Sequence, residues 1–386
     1  MVSANSRDEN LDHPPARTVG RLVLAGYRQR VRGDGCRARE ALRRPDDNAL
    51  VIDLRGPSLS DDEDPVTPPP MARPRPIEPR RHPLPWAEPK SEIDDPQARA
   101  RVDAILASPA YRQADADVEF LDLYETRGIR LQIDYFKPEL LLQQAGVEHT
   151  IVVFGGTRLR EPAAAARHVE ELREESGFHP GDTDLRRRLA VAERLAAKSG
   201  YYEVARELGR LIAESGNGPG DTRVMVMTGG GPGIMEAANR GTYDAGAKSI
   251  GLNIALPHEQ FPNPYVAPEL CFRFHYFALR KLHFLLRARA LVAFPGGYGT
   301  MDELFETLTL VQTRKIRPVP VVLVGRDYWR RAIDVDYLVD EGMIDPEDRD
   351  LFWYAESASE IWNGILAWHA SRGTPLYPTP LTEGTR

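Results

Sequence analysis

The chain reads as an α/β protein: a Rossmann-like, doubly wound parallel sheet, with a helical N-terminal lead-in and a disordered N-terminal tail before it. Three observations point there. Short apolar runs recur without strict alternation, helical stretches lie between them, and glycine clusters follow three of the runs directly. Strands covered by helices on both faces read as continuous apolar runs, and their C-terminal ends converge on a ligand crevice.

Residues 1–93 form the first segment. Proline and charge dominate it, as in PVTPPPMARPRPIEPRRHPLPW. Such a composition cannot bury enough apolar surface to fold, so this tail is expected to be mostly disordered. Within it, ALVIDLRG (Ala49 to Gly56) has the pattern of an isolated strand and RLVLAGYRQRVR (Arg21 to Arg32) that of a short basic amphipathic helix. Each is either a partner-binding motif or part of an extension without fixed structure.

A helical lead-in is expected over residues 94–148. Asp95 suits an N-cap and Pro96 the first helical position, so a helix should run to about Ala107, where Ser108-Pro109 breaks it. Helical patterning resumes through VEFLDLYETRGIRLQIDYF, with Gly128 and Pro138 as interruption points.

Residues 149–372 are expected to form the nucleotide-binding domain, with a C-terminal tail at 373–386. Its apolar runs are IVVF at 151–154, VMVM at 224–227, SIGLNI at 249–254, ALVAF at 290–294 and VPVVLV at 319–324. An insertion over residues 177–184 and a long helical stretch after it fill the first crossover.

Composition narrows the function. The 386 residues are 42% hydrophobic and 28% charged, enough for a sizeable core. No apolar run approaches the ~18 residues of a spanning helix, and MVSANSRDENLDH lacks the layout of a secretory signal. A cytoplasmic protein with no membrane partner is expected. Cys36 and Cys271 belong to no CxxC or Cys/His cluster, which speaks against a disulfide framework or a zinc site. A net charge of -7 argues against nucleic acid as a partner.

The glycine clusters carry the chemistry. They are Gly155-Gly156-Thr157, then TGGGPGIM with Gly229, Gly230, Gly231 and Gly233, then PGGYGT with Gly296, Gly297, Tyr298, Gly299 and Thr300. Glycine lets the backbone approach a ligand closely, and the free N–H groups of the following helix then face an anion. A phosphate is the expected guest. The dinucleotide pattern GxGxxG fails, because Ile234 or Asp302 stands where its last glycine belongs, and no glycine run ends in GK[ST].

Two stretches, GGGPGIMEAANRG (Gly229 to Gly241) and PGGYGTMDE (Pro295 to Glu303), resemble the LOG family, often mislabelled lysine decarboxylase. The resemblance spans about residues 150–370 and is supported by GLNIALPHEQFPNPYV and FALRK. It implies a cofactor-independent enzyme that hydrolyses the N-glycosidic bond of nucleoside 5'-monophosphates, AMP or a related purine or cytokinin nucleotide, to free base and ribose 5-phosphate. It also implies a homodimer or higher homo-oligomer.

Breaking that bond passes through an oxocarbenium-like state, so a carboxylate near the anomeric carbon is needed. Glu303 is the candidate. Its own spacing fits equally a capping box with Thr300 at the helix start. The resemblance favours catalysis, because the last residue of PGGxGTxxE is the family's proposed acid/base. In HYFALRKLHFLLRAR, Phe277, Leu282 and Leu285 are expected to pack while Arg280 faces elsewhere, and the resemblance gives Arg280 the task of orienting substrate. Lys281 is read as a neutral position.

Glu236 sits in a first helical turn, where it serves the helix dipole or contacts the ribose or base, with Asn239 in support. Arg158 is within reach of a phosphate, and Phe154, Tyr265 and Phe274 are candidates for stacking on a base. His258 and His275 lack metal-like spacing and are read as structural. Pyridoxal chemistry would need a Schiff-base lysine, and none of Lys248, Lys281 and Lys315 follows a loop that would aim it. The alternative function is a non-catalytic carrier or sensor of a nucleotide or phosphorylated cofactor. Such a carrier would not need Arg280 and Glu303 together.

Overall fold

Among the described residues, seven short strands pair into one sheet, all neighbours parallel: β1 (His149–Phe154), β2 (Val224–Thr228), β3 (Ile250–Ile254), β4 (Cys271–Phe274), β5 (Ala288–Ala293), β6 (Val321–Val324) and β7 (Trp353–Ala355). The computed structural model describes residues 90–256 and 261–377. The expected tail up to residue 89 with its two candidate motifs, His258 and residues 378–386 lie outside the described residues.

The strand order is β4-β3-β2-β1-β5-β6-β7. The chain winds outward from β1 to β4, then returns to β5 on the other side of β1. Winding therefore reverses between β1 and β5, and in such sheets the crevice beyond the strand C-termini at that point binds the ligand.

Among the described residues, twelve α-helices flank the sheet: α1 (Ala98–Leu106), α2 (Val118–Leu121), α3 (Arg127–Gln144), α4 (Pro162–Phe178), α5 (Thr183–Ala196), α6 (Gly200–Ala213), α7 (Ile234–Asp244), α8 (Phe277–Leu286), α9 (Tyr298–Gln312), α10 (Arg326–Ala332), α11 (Val335–Asp340) and α12 (Ala358–Ser371). Side chains alternate across a strand, so β1 sends Ile151 and Val153 to one core and Val152 and Phe154 to the other. The first core is closed by α6, α7 and α12, and the second by α3, α8, α9 and α10. All of Ile151, Val152 and Val153 are fully buried, which is why the run carries no polar residue.

The lead-in helix α3 is fastened to this body. Leu142 is fully buried in the second core, and Arg287 donates two hydrogen bonds to Glu139, at 2.6 and 2.7 Å. The Arg287 bond is the main reason the Glu139 carboxyl lies below the ordinary range.

Several local expectations need correction. The five expected strands are present, but β4 and β7 were not foreseen. Both are edge strands of three or four residues, defined by their pairing more than by an apolar run. Pro138 does not interrupt α3 but sits inside it, while Gly128 marks its start. The first helix begins at Ala98, not beside Asp95, whose carboxylate instead accepts from the Gln97 N–H in the preceding turn. The long helical stretch of the first crossover is two helices, parted at residues 197–199.

Candidate active site

Three loops meet at the reversal point, and backbone hydrogen bonds tie them together. Phe294 N–H donates to Phe154 O and Gly156 N–H to Pro295 O, both at 2.9 Å, while Ile234 N–H donates to Gly156 O at 3.3 Å. The structure thus brings Gly155, Gly156, Gly233 and the PGGYGT loop into one place. Gly155 is packed so closely on Ile234 that a Cβ would stand 2.6 Å from its side chain.

The TGGGPG loop is held from every side. Gly230 has φ +69°, a conformation side chains rarely adopt, and its N–H donates to Thr228 Oγ1 at 3.0 Å. Asn239 is fully buried beneath it. Its Oδ1 accepts from Thr228 Oγ1 (2.8 Å) and Asn263 Nδ2 (3.0 Å), while its Nδ2 donates to Ser249 Oγ (2.8 Å). Asn263 also donates to Gly231 O at 2.9 Å. Asn239 therefore braces the loop, and among the described residues no hydrogen bond joins it to the Glu236 carboxylate. The Glu236 carboxylate accepts from the buried Tyr202 hydroxyl at 2.9 Å, which orients it across the α6–α7 contact.

The PGGYGT loop is built differently. Gly296 is tucked against Thr300, and its carbonyl accepts from the Tyr328 hydroxyl on α10. Gly297 and Gly299 have no atom within 4 Å of where a Cβ would stand. Their bare backbone lies open at the start of α9, where the first N–H groups have no intrahelical acceptor. Tyr298 is 93% exposed and its ring stands in solvent.

Helix α9 begins at Tyr298 with Gly297 as N-cap, so the expected start at Thr300 is two residues late. The capping-box reading of Glu303 falls with it, since Thr300 N–H is already bonded to Gly297 O at 3.0 Å. Glu303 lies one turn further on, 6% exposed, and among the described residues nothing donates a hydrogen bond to its carboxylate. Burial pushes this carboxyl up to about 7, against the opposing pull of Lys281 and Arg280.

Arg280 extends beneath the other glycine loop. Its Nε donates to Leu252 O at 2.6 Å, and Nη2 occupies the space a Cβ on Gly229 would take. Burial draws the guanidinium below its ordinary value and Glu303 opposes this, so the two groups sense one another. On α8 only Leu285 packs on the second core as expected. Phe277 and Leu282 are 45% and 42% exposed, while Phe284 and His283 are buried and Arg280 lies over the Phe284 ring.

Lys281 was missed. Its Nζ sits 2.9 Å from both Asp302 and Glu306 and 4.0 Å from Glu303. Burial acts against its charge, but the hydrogen bonds to Glu306 and Asp302 outweigh it and raise its affinity for the proton. Acidic residues at 302, 303 and 306 share one helix face, a pattern that asks for a cation.

Other candidates lie elsewhere. Phe154 and Phe274 are core residues, 5% and 1% exposed, and do not stack on a base. Tyr265 packs on Tyr243 with Arg240 over its ring. Arg158 and Thr157 line a second cleft that opens between α4 and α5 beside the first glycine cluster. His275 is exposed, its backbone N–H donating to Asp134, and Lys248 pairs with Glu269.

The family model described as possible lysine decarboxylase matches residues 235–365. A cytokinin riboside 5'-monophosphate phosphoribohydrolase of Arabidopsis thaliana is 30% identical over 169 residues, covering 42% of this chain and 73% of that protein. The chain belongs to the LOG family. Two rice proteins (Oryza sativa subsp. japonica) are similar as well. One, a probable cytokinin riboside 5'-monophosphate phosphoribohydrolase, is 29% identical over 42% of this chain and 64% of its own length. The other, a cytokinin riboside 5'-monophosphate phosphoribohydrolase, is 31% identical over 42% of this chain and 65% of its own. This LOG chain thus spans about two thirds of the rice relatives it matches. Among its described residues, no helix is long and apolar enough to cross a membrane.

Proposed function

We propose that this LOG protein is a nucleoside 5'-monophosphate nucleosidase, with AMP or a related purine or cytokinin monophosphate as substrate. The observation that carries the reading is the Glu303 carboxyl: buried, unbonded, near neutrality in its proton affinity, and one turn from an open glycine backbone.

The 5'-phosphate lies on the backbone of Gly296, Gly297 and Gly299 at the start of α9, with Thr300 beside it. Ribose C1′ then faces Glu303, with Arg280 orienting the substrate. As the C–N bond breaks, its electron pair leaves with the base, and the ionised carboxylate stabilises the positive sugar and takes a proton from the attacking water. Water's hydroxyl ends on C1′ and its proton on the base, so the products are the free base and ribose 5-phosphate. The relatives named as phosphoribohydrolases support the same reaction. Incubation with AMP is expected to yield adenine and ribose 5-phosphate in equal amounts. Binding of monophosphates without base release from any of them would sink the enzyme reading and leave a carrier.

The working form is proposed to be a homodimer. Ile129, Ile133, Phe136 and Leu140 form one exposed apolar stripe along α3, and Phe277, Leu282 and Leu286 are exposed on α8, which packs beside it. Sedimentation should give twice the chain mass, and Phe136→Glu should return the monomer.

A further inference from the structure

Helices α4 and α5 form a hairpin with a small core of its own, made of Val169, Leu172, Leu185 and Ala192. Between them lies a cleft of about 460 Å³, walled by Leu172, Val191 and Leu195. Its rim carries Arg158, Arg160, Arg187 and Arg188, and no carboxylate lines it. Arg187 bridges to Asp184 at 2.8 Å, but among the described residues Arg158, Arg160 and Arg188 close no ion pair. Neither Glu303, Arg280 nor the PGGYGT loop reaches this cleft.

Three guanidinium groups without an ion-pair partner, beside a fourth held by Asp184, repel one another around one opening, so their placement there gains nothing for the fold alone. Elsewhere on the same helices the arginine is neutralised: Arg173 pairs with Glu170 and Glu193. Guanidinium forks match phosphate oxygens two at a time, and several of them suit an anion with more charge than one phosphate carries. The volume lies within the range of small-ligand sites, and the apolar wall accepts an uncharged portion of the ligand.

We propose that the α4–α5 cleft binds a polyphosphate anion, either the polyphosphate of a nucleoside di- or triphosphate or a free polyphosphate, at a site distinct from the TGGGPG and PGGYGT loops and touching the first glycine cluster only at Thr157. The proposal does not depend on the catalytic reading.

Calorimetric titration of the full chain with inorganic tripolyphosphate and with ATP tests it. Saturable binding is expected for at least one of the two, weakened at least about tenfold in R160A/R188A and unchanged in E303Q. Circular dichroism and the melting temperature report whether the double variant is folded, and R160K/R188K, which keeps the charge but loses the fork, should bind between the two. Tighter binding of ATP identifies a nucleotide as the ligand, and equal binding identifies the polyphosphate group alone. Absence of saturation below ~1 mM in the unaltered chain would overturn the proposal. So would equal affinity in folded R160A/R188A, or displacement by AMP that is the same in both proteins. Adenine release from AMP is read separately, so failure here leaves the nucleosidase reading standing.

Discussion

The two glycine loops that begin α7 and α9 use the same local device and reach opposite states. Around TGGGPG the polar side chains are paired: Thr228, Asn239, Ser249 and Asn263 satisfy one another and the loop backbone. Around PGGYGT the backbone of Gly297 and Gly299 is open, and Glu303 is buried without a hydrogen-bond donor. A satisfied buried network makes one geometry rigid, whereas an unsatisfied buried acid costs stability and holds proton affinity near neutrality. Under the proposed function, the first loop serves as scaffold and the second receives the substrate's phosphate beside the buried acid.

Replacing the buried acid is the sharpest test of that contrast. Glu303→Gln should lower turnover of AMP by about 10²–10⁴-fold while the protein still folds and binds monophosphate. Unchanged turnover would mean that the open loop is no more catalytic than the closed one.

The same substitution tests the stored cost. The Glu303 carboxyl holds its proton up to about pH 7 in the fold, against an ordinary value of 4.5. Its contribution to stability is thus whole below the unfolded value and is lost as pH rises through about 7. Denaturant unfolding should find Glu303→Gln more stable than the parent by up to about 3 kcal/mol at pH 8.5, with the gap closing towards pH 5. A gap that does not vary with pH would contradict the burial argument.

Glycine substitutions separate the loops next. Gly230→Ala forces a side chain into a positive φ against the Asn253 amide and should cost about 2 kcal/mol or more of stability. Gly299→Ala meets open space within a helix, so stability should hold or rise by about 0.5–1 kcal/mol while the KM for AMP increases. Equal melting temperatures for the two variants would erase the distinction.

Lys281 gives the smallest expected effect. Its charge pulls the Glu303 proton affinity down, so Lys281→Met should move the acid limb of the kcat/KM profile to higher pH. The sign follows from the ionised carboxylate being the working form: activity falls as pH drops through about 7 in the parent. A limb left in place would remove Lys281 from the site.

Much of this was legible before any coordinates. Five strands announced themselves because a strand buried on both faces must be apolar throughout, and β1, β2, β3 and β6 are indeed buried over nearly all their length. The edge strands β4 and β7 escaped because CFRF and WYA have no such run; their conformation comes from neighbours in the sheet. Side-chain direction was the weaker inference. Phe154 and Phe274, candidates for base stacking, lie in the core, and of the three apolar residues expected to pack on α8 only Leu285 does. Helical spacing says which residues share a face without saying which face meets the sheet.

The sequence alone determined the parallel α/β class and the three glycine turns, because these depend on residue type and short-range spacing, while the candidate pair Arg280 and Glu303 came from the resemblance to the LOG family. Tertiary structure decided the rest: which loop is braced and which is open, the buried state that raises Glu303, the place of Lys281 between α8 and α9, and the arginine-rimmed cleft. Burial and long-range electrostatics depend on elements far apart in the chain, and no local pattern of residues encodes that distance.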